Sequence, residues 1–312
     1  MKKLNIATLG MPADYPSSLI PIIIRDLGYE TVWTSQLDAD ILVYGPFFQK
    51  TKPYRWLPKP LRPLTNLFHP TWMKRWNPPI TLFQTGENVR HDTVNTDYAI
   101  SFDFTKDEKH FRFPYWMEMV DWSHEGIIGN ANPRFGKLLS LHDMTKPLGS
   151  EFLKRNMKAA FITSHLNEPR KTLWNAITKI IEVEGFGPYF NHEIKNHHES
   201  RFNKIEVLSH FTFNLCPENG LYPGYYTEKI PEAFLSGCLP LTWVDSNVGV
   251  DFNPLAMINL QTMMGNNFEG LKKILTDKEK LKIFAEQPLL IKKPSIEPLK
   301  QFLRKILSDT LS

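Results

Sequence analysis

Ile41-Leu42-Val43-Tyr44 is apolar at four consecutive positions, with no alternation between a wet and a dry face. Such a run suits a strand covered on both sides, the condition of a parallel sheet inside an α/β layer. The flanking sequence agrees. Residues 4–9 read as a short apolar strand, residues 17–27 as a helix closed by Gly28, and residues 30–33 as a second strand. Residues 80–84 and 97–102 repeat the character of 41–44. Strands that alternate with helices predict a mostly parallel sheet with helices on both faces.

A second alternating series begins at residues 158–163. Residues 168–184 carry helical spacing through Leu173, Ile177, Ile180 and Ile181; residues 211–216 read as a strand, followed by a helix to Ser236 and a buried strand at 239–244. Residues 299–307 read as an amphipathic helix, with Leu299, Phe302, Leu303, Ile306 and Leu307 beside Lys300, Arg304 and Lys305. Between residues 134 and 155 the pattern weakens at Gly136, Pro147 and Gly149, which places an interdomain connection near residues 145–150. The expected domains are 1–148 and 149–312, the second including the C-terminal helix. A length of 312 residues fits two domains of roughly 150 each.

At 42% hydrophobic and 22% charged, the chain is neither disordered nor fibrous. Its two cysteines, Cys216 and Cys238, make no disulfide framework, which points to a reducing compartment, and without CxxC spacing they read as small core residues. No apolar stretch approaches the roughly 18–20 residues that cross a bilayer. The run at 19–24 is broken by Pro21 and followed by Arg25 and Asp26, so Met1, Lys2 and Lys3 open no signal peptide. A cytoplasmic protein is expected. The net charge of +4 is concentrated: residues 50–86 hold no acid, and Lys50, Lys52, Arg55, Lys59, Arg62, Lys74 and Arg75 interleave with Tyr54, Trp56, Phe68, Trp72 and Trp76. That mixture suits a loop packed on the domain, an anionic membrane surface or nucleic-acid phosphates. The basic C-terminal helix fits either core packing or a membrane surface.

The densest chemistry lies in residues 211–243, strand, polar loop, helix and strand in turn. Ligands in such sheets bind beyond the carboxyl ends of the strands. Here the loop after Cys216 brings Glu218, Asn219, Tyr225, Thr227, Glu228 and Lys229 to a helix start, where free N–H groups favour an anion. A lysine would neutralise phosphate, and a carboxylate would hold hydroxyls or steady a cationic sugar carbon. Gly237 fits the turn after the helix. Two other signals fall away. Asp38-Ala39-Asp40 precedes its apolar strand rather than following it, the wrong order for a metal-binding acid pair, and His197-His198-Glu199 lacks the i, i+4 spacing of a zinc protease.

Phe211-Thr212-Phe213-Asn214-Leu215, Glu218-Asn219, Tyr225-Tyr226-Thr227-Glu228-Lys229, Leu239-Pro240-Leu241-Thr242-Trp243 and Asp251-Phe252-Asn253-Pro254 together resemble the signature of the alpha-1,3/4-fucosyltransferases, glycosyltransferase family 10. Thr85-Gly86-Glu87-Asn88, Asp97-Tyr98-Ala99-Ile100-Ser101-Phe102-Asp103 and Arg112-Phe113-Pro114-Tyr115 resemble the N-domain motif of its bacterial members. The resemblance implies a GT-B-like α/β fold: two Rossmann-like domains with an interdomain cleft, the first for acceptor and the second for donor. It implies inverting transfer of L-fucose from GDP-beta-L-fucose to a glycan hydroxyl, in alpha-1,3-type linkage, with no cofactor or metal required.

Carried over by position, Glu87 is the general base, with Gly86 and Asn88 on the acceptor side. Arg170 and Lys229 bind the pyrophosphate. Tyr225, Thr227, Glu218, Asn219 and Gly187 line the donor site, and Glu228 faces the fucosyl ring. The implied partners are the nucleotide sugar and a glycan acceptor, lipid-linked in cell-surface polysaccharide or lipopolysaccharide synthesis, with peripheral contact at the inner membrane face through residues 50–76; protein glycosylation is a further setting. Two departures from the family pattern lie beside the donor site. Pro217-Glu218-Asn219-Gly220 replaces Phe-Glu-Asn-Ser or Phe-Glu-Asn-Thr, and Pro231 falls early in the helix after Lys229. They leave open a transferase for another GDP-deoxyhexose. A noncatalytic nucleic-acid or membrane-surface binding protein using residues 50–76 is the reading from another class.

Overall fold

A computed structural model describes residues 1–48, 78–130, 137–190 and 200–311, with side chains described from residue 204 in the last segment. The basic aromatic segment 50–76 and the histidine pair at 197–198 lie outside the described residues. The chain forms two compact units, Met1–Phe113 with Trp122–Asn130 and Ser295–Ser312, and Pro114–Asp121 with Ala131–Pro294.

The first unit is built on six parallel strands, β1 (Lys2–Leu9), β2 (Tyr29–Trp33), β3 (Ile41–Tyr44), β4 (Ile80–Gln84), β5 (Tyr98–Ser101) and β6 (His110–Arg112), in the order β2-β1-β3-β4-β5-β6. All four residues of β3 are buried, as their unbroken apolarity requires. Helix α1 (Leu19–Asp26) covers one face with Leu19, Ile20, Ile22, Ile23 and Ile24, and Gly28 takes a φ of +95° to turn the chain into β2. The aspartates before β3 stay local: Asp40 accepts the Asn5 N–H at 2.8 Å, and Asp38 accepts the Ser35 hydroxyl.

The C-terminal helix, Glu297–Leu311, belongs to this first unit, not to the second domain as its sequence position suggests. Its Leu303, Ile306 and Leu307 meet Ile6, Tyr15, Ile20, Ile24, Ile41, Val43 and Leu82 around an internal gap of only about 10 Å³. Each such side chain removed from water contributes about 1.5–3 kcal/mol. Phe302 stacks on Phe111 at 5.4 Å between ring centroids. The carboxylate of Glu125 accepts from Ser295 Oγ and the Ile296 N–H just ahead of the helix, which places residues 122–130 in the same unit. An amphipathic stripe reports that a helix must bury one face, but the stripe does not say against which sheet.

The second unit holds α2 (Tyr115–Glu118), α3 (Leu141–Met144), β7 (Asn156–Ile162), α4 (Arg170–Ile177), β8 (Glu182–Phe186), α5 (Ser200–Leu208), β9 (Phe211–Leu215), α6 (Lys229–Leu235), β10 (Leu239–Thr242), β11 (Ile258–Asn259), α7 (Leu271–Leu275) and α8 (Lys278–Ala285). Its five strands are parallel, in the order β11-β10-β9-β7-β8. The boundary expected at 148/149 moves accordingly. Residues 145–150 are not a free connection: the Leu148 N–H donates to the Gln287 carbonyl and that of Gly149 to Ala285, so the glycine and proline there shape a packed turn. Residues 114–121 also join this unit, with the Trp116 ring 5.0 Å from Phe252.

The helix expected over 168–184 divides into α4 and β8. Ile180 and Ile181 continue the helical spacing of Leu173 and Ile177, but Val183 and Phe186 serve a strand paired with β7, and short apolar spacing fits both periods. Pro231 is the third residue of α6, inside the first turn, where an N–H has no intrahelical partner and its loss costs no helix bond. Cys216 and Cys238 are buried free thiols. Among the described residues, no helix is long and apolar enough to cross a membrane.

Candidate active site

In the second sheet the strand order reverses at β7 and β9: β8 lies beyond β7, and β10 and β11 beyond β9. Loops leaving the two strands there turn to opposite sides, and the gap left at their carboxyl ends is where doubly wound sheets bind ligands. A cavity of about 210 Å³ occupies that position, lined among others by Thr163 and Ser164 after β7, Cys216 and Pro217 after β9, and the charged residues Arg170, Lys204, Glu228 and Lys229.

Arg170 opens α4 and is buried. Its guanidinium donates to Thr163 Oγ1 at 3.2 Å and to Asn219 Oδ1, and lies 2.8 Å from His165 Nε2. All these partners are neutral. Burial therefore pushes its pKa down, with Glu218 and Tyr225 acting in the opposite direction from further away. A cation at the positive end of a helix is held against the local dipole, and a desolvated guanidinium that pairs with no carboxylate among the described residues calls for an anion.

Lys229 is arranged differently. Glu218 has no exposed surface, and its carboxylate accepts from the Thr227 N–H at 2.7 Å, the Thr227 hydroxyl at 2.9 Å and Lys229 Nζ at 2.8 Å. The role seen for Glu218 is thus to tie the loop after β9 to the start of α6. Glu228 caps α6, its carbonyl accepting the Glu232 N–H. Tyr225 is buried and close enough to act on the Arg170 charge. Gly187 takes a φ of +90°, and a Cβ there would sit 2.8 Å from the Thr163 carbonyl oxygen, so this loop folds back on the end of β7 only with glycine.

Of the residues singled out in the sequence, Arg170, Gly187, Glu218, Asn219, Tyr225, Thr227, Glu228 and Lys229 all lie at this end of the second unit. Gly86, Glu87 and Asn88 lie in the first unit, at the carboxyl end of β4. There Thr85 Oγ1 donates to the Glu87 carbonyl at 2.9 Å and accepts the Glu87 N–H at 3.0 Å, a tight turn that presents the exposed Glu87 and Asn88.

Sequence reasoning passed over Lys204, which lines the cavity from α5 and pairs with the buried Glu232. Burial would lower the Lys204 pKa, but the carboxylates of Glu232 and Glu228 outweigh it and the net shift is upward. One sign was available: Glu232 interrupts the otherwise apolar Ile230-Pro231-Glu232-Ala233-Phe234, and an acid within a buried helix face needs a cation. His165 and Thr163, which hold Arg170, carried no sequence signal.

Two doubly wound parallel sheets, with a cationic cavity at the strand reversal of the second, make this a GT-B-like α/β protein. Residues 67–119 match the alpha-(1,3)-fucosyltransferase FucT N-terminal domain, and residues 152–277 match the glycosyltransferase family 10 (fucosyltransferase) C-terminal domain. The two matches cover more than half of the chain, and the chain belongs to glycosyltransferase family 10. It is 32% identical over 200 residues to the alpha-(1,3)-fucosyltransferase FucT of Helicobacter pylori, covering 57% of this chain and 40% of that protein. It is 24% identical over 173 residues to the human 4-galactosyl-N-acetylglucosaminide 3-alpha-L-fucosyltransferase 9, covering 49% of this chain and 47% of that one. The chain thus spans less than half the length of either relative. Crystal structures of an alpha1,3-fucosyltransferase share the fold: one with GDP-fucose superposes with a TM-score of 0.68 at 23% identity, covering 98% of this chain and 91% of that chain, and one without ligand with a TM-score of 0.69 at 24% identity, covering 98% and 90%.

Proposed function

We propose that this protein is an inverting fucosyltransferase that moves L-fucose from GDP-beta-L-fucose to a hydroxyl of a glycan acceptor in alpha-1,3-type linkage. The observation that carries the donor half is Arg170: a buried guanidinium with neutral partners, on a cavity at the strand reversal, suits a pyrophosphate. Lys229, already steadied by Glu218, adds a second cation, and Glu228 faces the sugar ring.

In this reading Glu87 takes the proton from the acceptor hydroxyl. The oxygen attacks the anomeric carbon as the bond to the phosphate oxygen breaks, and GDP leaves with the electron pair. Arg170 and Lys229 stabilise the charge that develops on it. The single displacement inverts the anomeric centre and needs neither a covalent intermediate nor a metal. The acceptor is proposed to be a lipid-linked glycan of cell-surface polysaccharide or lipopolysaccharide, met by a cytoplasmic protein at the inner membrane face. Pro217, where the family pattern carries phenylalanine, lines the cavity, and this favours other GDP-deoxyhexoses as the competing donors.

Thermal unfolding with GDP-fucose, GDP-mannose, GDP-rhamnose and UDP-galactose, followed by turnover assays with each, tests the proposal. At one hundred times its Kd a ligand of the native state adds about 2.7 kcal/mol. GDP-fucose should stabilise and turn over, and Glu87→Gln should lower kcat by about 10²–10⁴-fold while GDP still binds. Stabilisation by UDP-galactose alone, or equal turnover by Glu87→Gln, would sink the donor or the base assignment respectively.

A further inference from the structure

The loop leaving β4 carries Glu87 and, among the described residues, is held on both sides of it. On the near side is the Thr85 hydroxyl, bonded to both the N–H and the carbonyl of Glu87. On the far side, three and four residues after Glu87, both Arg90 and His91 converge on Asp103, which is 1% exposed at the end of β5. Its Oδ2 accepts the His91 N–H at 3.0 Å, lies 2.8 Å from His91 Nδ1 and accepts the Ser101 hydroxyl at 2.8 Å; its Oδ1 is 2.5 Å from Arg90 Nε in an ion pair.

His91, Asp103 and His110 also offer donor atoms within 4.8 Å of one another, a set that resembles a cation site. The hydrogen bonds argue otherwise. Ser101 Oγ lies 2.8 Å from both Asp103 Oδ2 and His110 Nε2. An ionised carboxylate only accepts, so Ser101 donates to Asp103 and His110 Nε2–H donates to Ser101. His91 Nδ1–H donates to Asp103 by the same reasoning. His91 Nδ1, His110 Nε2 and Asp103 Oδ2, the atoms that face one another, are already engaged in these hydrogen bonds, and the Arg90 guanidinium already neutralises the carboxylate.

We infer that Asp103 is a positioning residue for the transfer reaction, a buried clamp that fixes the loop carrying Glu87 through Arg90 and His91; this rests on the reading of Glu87 as the base. A general base acts only within hydrogen-bond reach of its proton, and a misplacement of about 1 Å costs roughly 100-fold in rate. The carboxylate makes no contact with reacting atoms in this role. It acts by removing the loop's freedom before the acceptor arrives.

The test compares Asp103→Asn, Arg90→Ala, His91→Ala and Glu87→Gln with a control, Thr81→Val. The control removes the Thr81 hydroxyl, which donates to Asp97 Oδ2 and accepts the Asp97 N–H at the opposite end of β4, and destabilises the same sheet without touching the loop. Asp103→Asn should lower kcat about 10- to 100-fold with the KM for GDP-fucose and the affinity for GDP within twofold of wild type. Arg90→Ala and His91→Ala should each show part of that loss, whereas Thr81→Val should lower Tm and leave kcat unchanged. Wild-type kcat in Asp103→Asn overturns the clamp. Should that variant be insoluble, wild-type kcat in both Arg90→Ala and His91→Ala overturns it equally. Loss of activity in Glu87→Gln beside full activity in the clamp variants rejects the clamp but keeps the base; full activity in Glu87→Gln rejects the base. Titration with Zn²⁺ is the last arm: stoichiometric binding that His110→Ala abolishes would make the cluster a metal site and overturn the clamp.

Discussion

Lys229 Nζ lies 2.8 Å from Glu218 Oε2, and the glutamate side chain has no exposed surface. A carboxylate this deep is stable because three donors reach it, the Lys229 ammonium and the N–H and hydroxyl of Thr227. Glu218→Gln keeps the shape but leaves the ammonium without its counter-charge. We expect a loss of about 3 kcal/mol, the low end for a broken buried pair because Lys229 keeps some solvent contact. Burial lowers the Lys229 pKa, but Glu218 and Glu228 more than reverse this and leave it above its ordinary 10.5. The stabilisation is therefore full below pH 10.5 and fades as the pH rises past it. Urea denaturation of both proteins at pH 8 and pH 11 should show a gap that narrows at the higher pH; a constant gap would contradict the pairing.

Arg170→Met separates binding from stability. With neutral hydrogen-bond partners among the described residues, the guanidinium is a burden on the free protein, and an apolar side chain of similar length should leave Tm unchanged or raise it. The same variant should bind GDP about 30- to 150-fold more weakly, as loss of charge-assisted bonds worth about 2–3 kcal/mol requires. Calorimetric titration with GDP checks the second half, and retained affinity would remove Arg170 from the donor site.

His110 supplies a pH dependence of the first unit. Burial, with the neighbouring His91 adding to it, holds its pKa at about 4 against an ordinary 6.5. Below pH 6.5 the unfolded chain binds a proton that the native one refuses until about pH 4. Stability therefore falls as the pH drops through that window, by about 3 kcal/mol in the limit. The difference in unfolding free energy between wild type and His110→Gln should shift by about 2 kcal/mol between pH 7.5 and pH 4.5. A difference that does not move with pH would show that His110 is protonated in the native state.

Leu303→Ala tests the placement of the C-terminal helix. Leu303 is 1% exposed, and its truncation should cost about 2–5 kcal/mol. Hydrogen exchange should accelerate at the amides of β1 and β3 and stay unchanged at β7 and β9. Faster exchange at β7 and β9 would place the helix elsewhere.

Much of this was legible in the sequence, and the parts that were not share a cause. Strand β4 was bounded correctly because Pro79 precedes it and a polar turn comes after it. Glu218, Asn219, Tyr225, Thr227, Glu228 and Lys229 could be placed together because strand, loop, helix and strand succeed one another within residues 211–243, so local order fixes which side chains share a strand end. The division of residues 168–184 failed because Ile180 and Ile181 satisfy the helical period while β7 pairs with residues 182–186. Lys204 was missed because its partner Glu232 is 28 residues away, and Asp103 because its grip on His91 is a backbone and ring contact that no spacing encodes. Periodicity names a buried face; it does not name the neighbour that buries it.

The return of the last helix to the first sheet has a consequence for how this protein is made. The ribosome releases the N-terminal half first, yet that half stays open along one flank until residues 297–311 have emerged, some 170 residues later. The half synthesised second holds its own strands and can close earlier. Completion during synthesis thus runs against the direction of translation, and a nascent chain stalled before residue 295 would show Ile20, Ile24 and Leu82 to whatever chaperone is waiting.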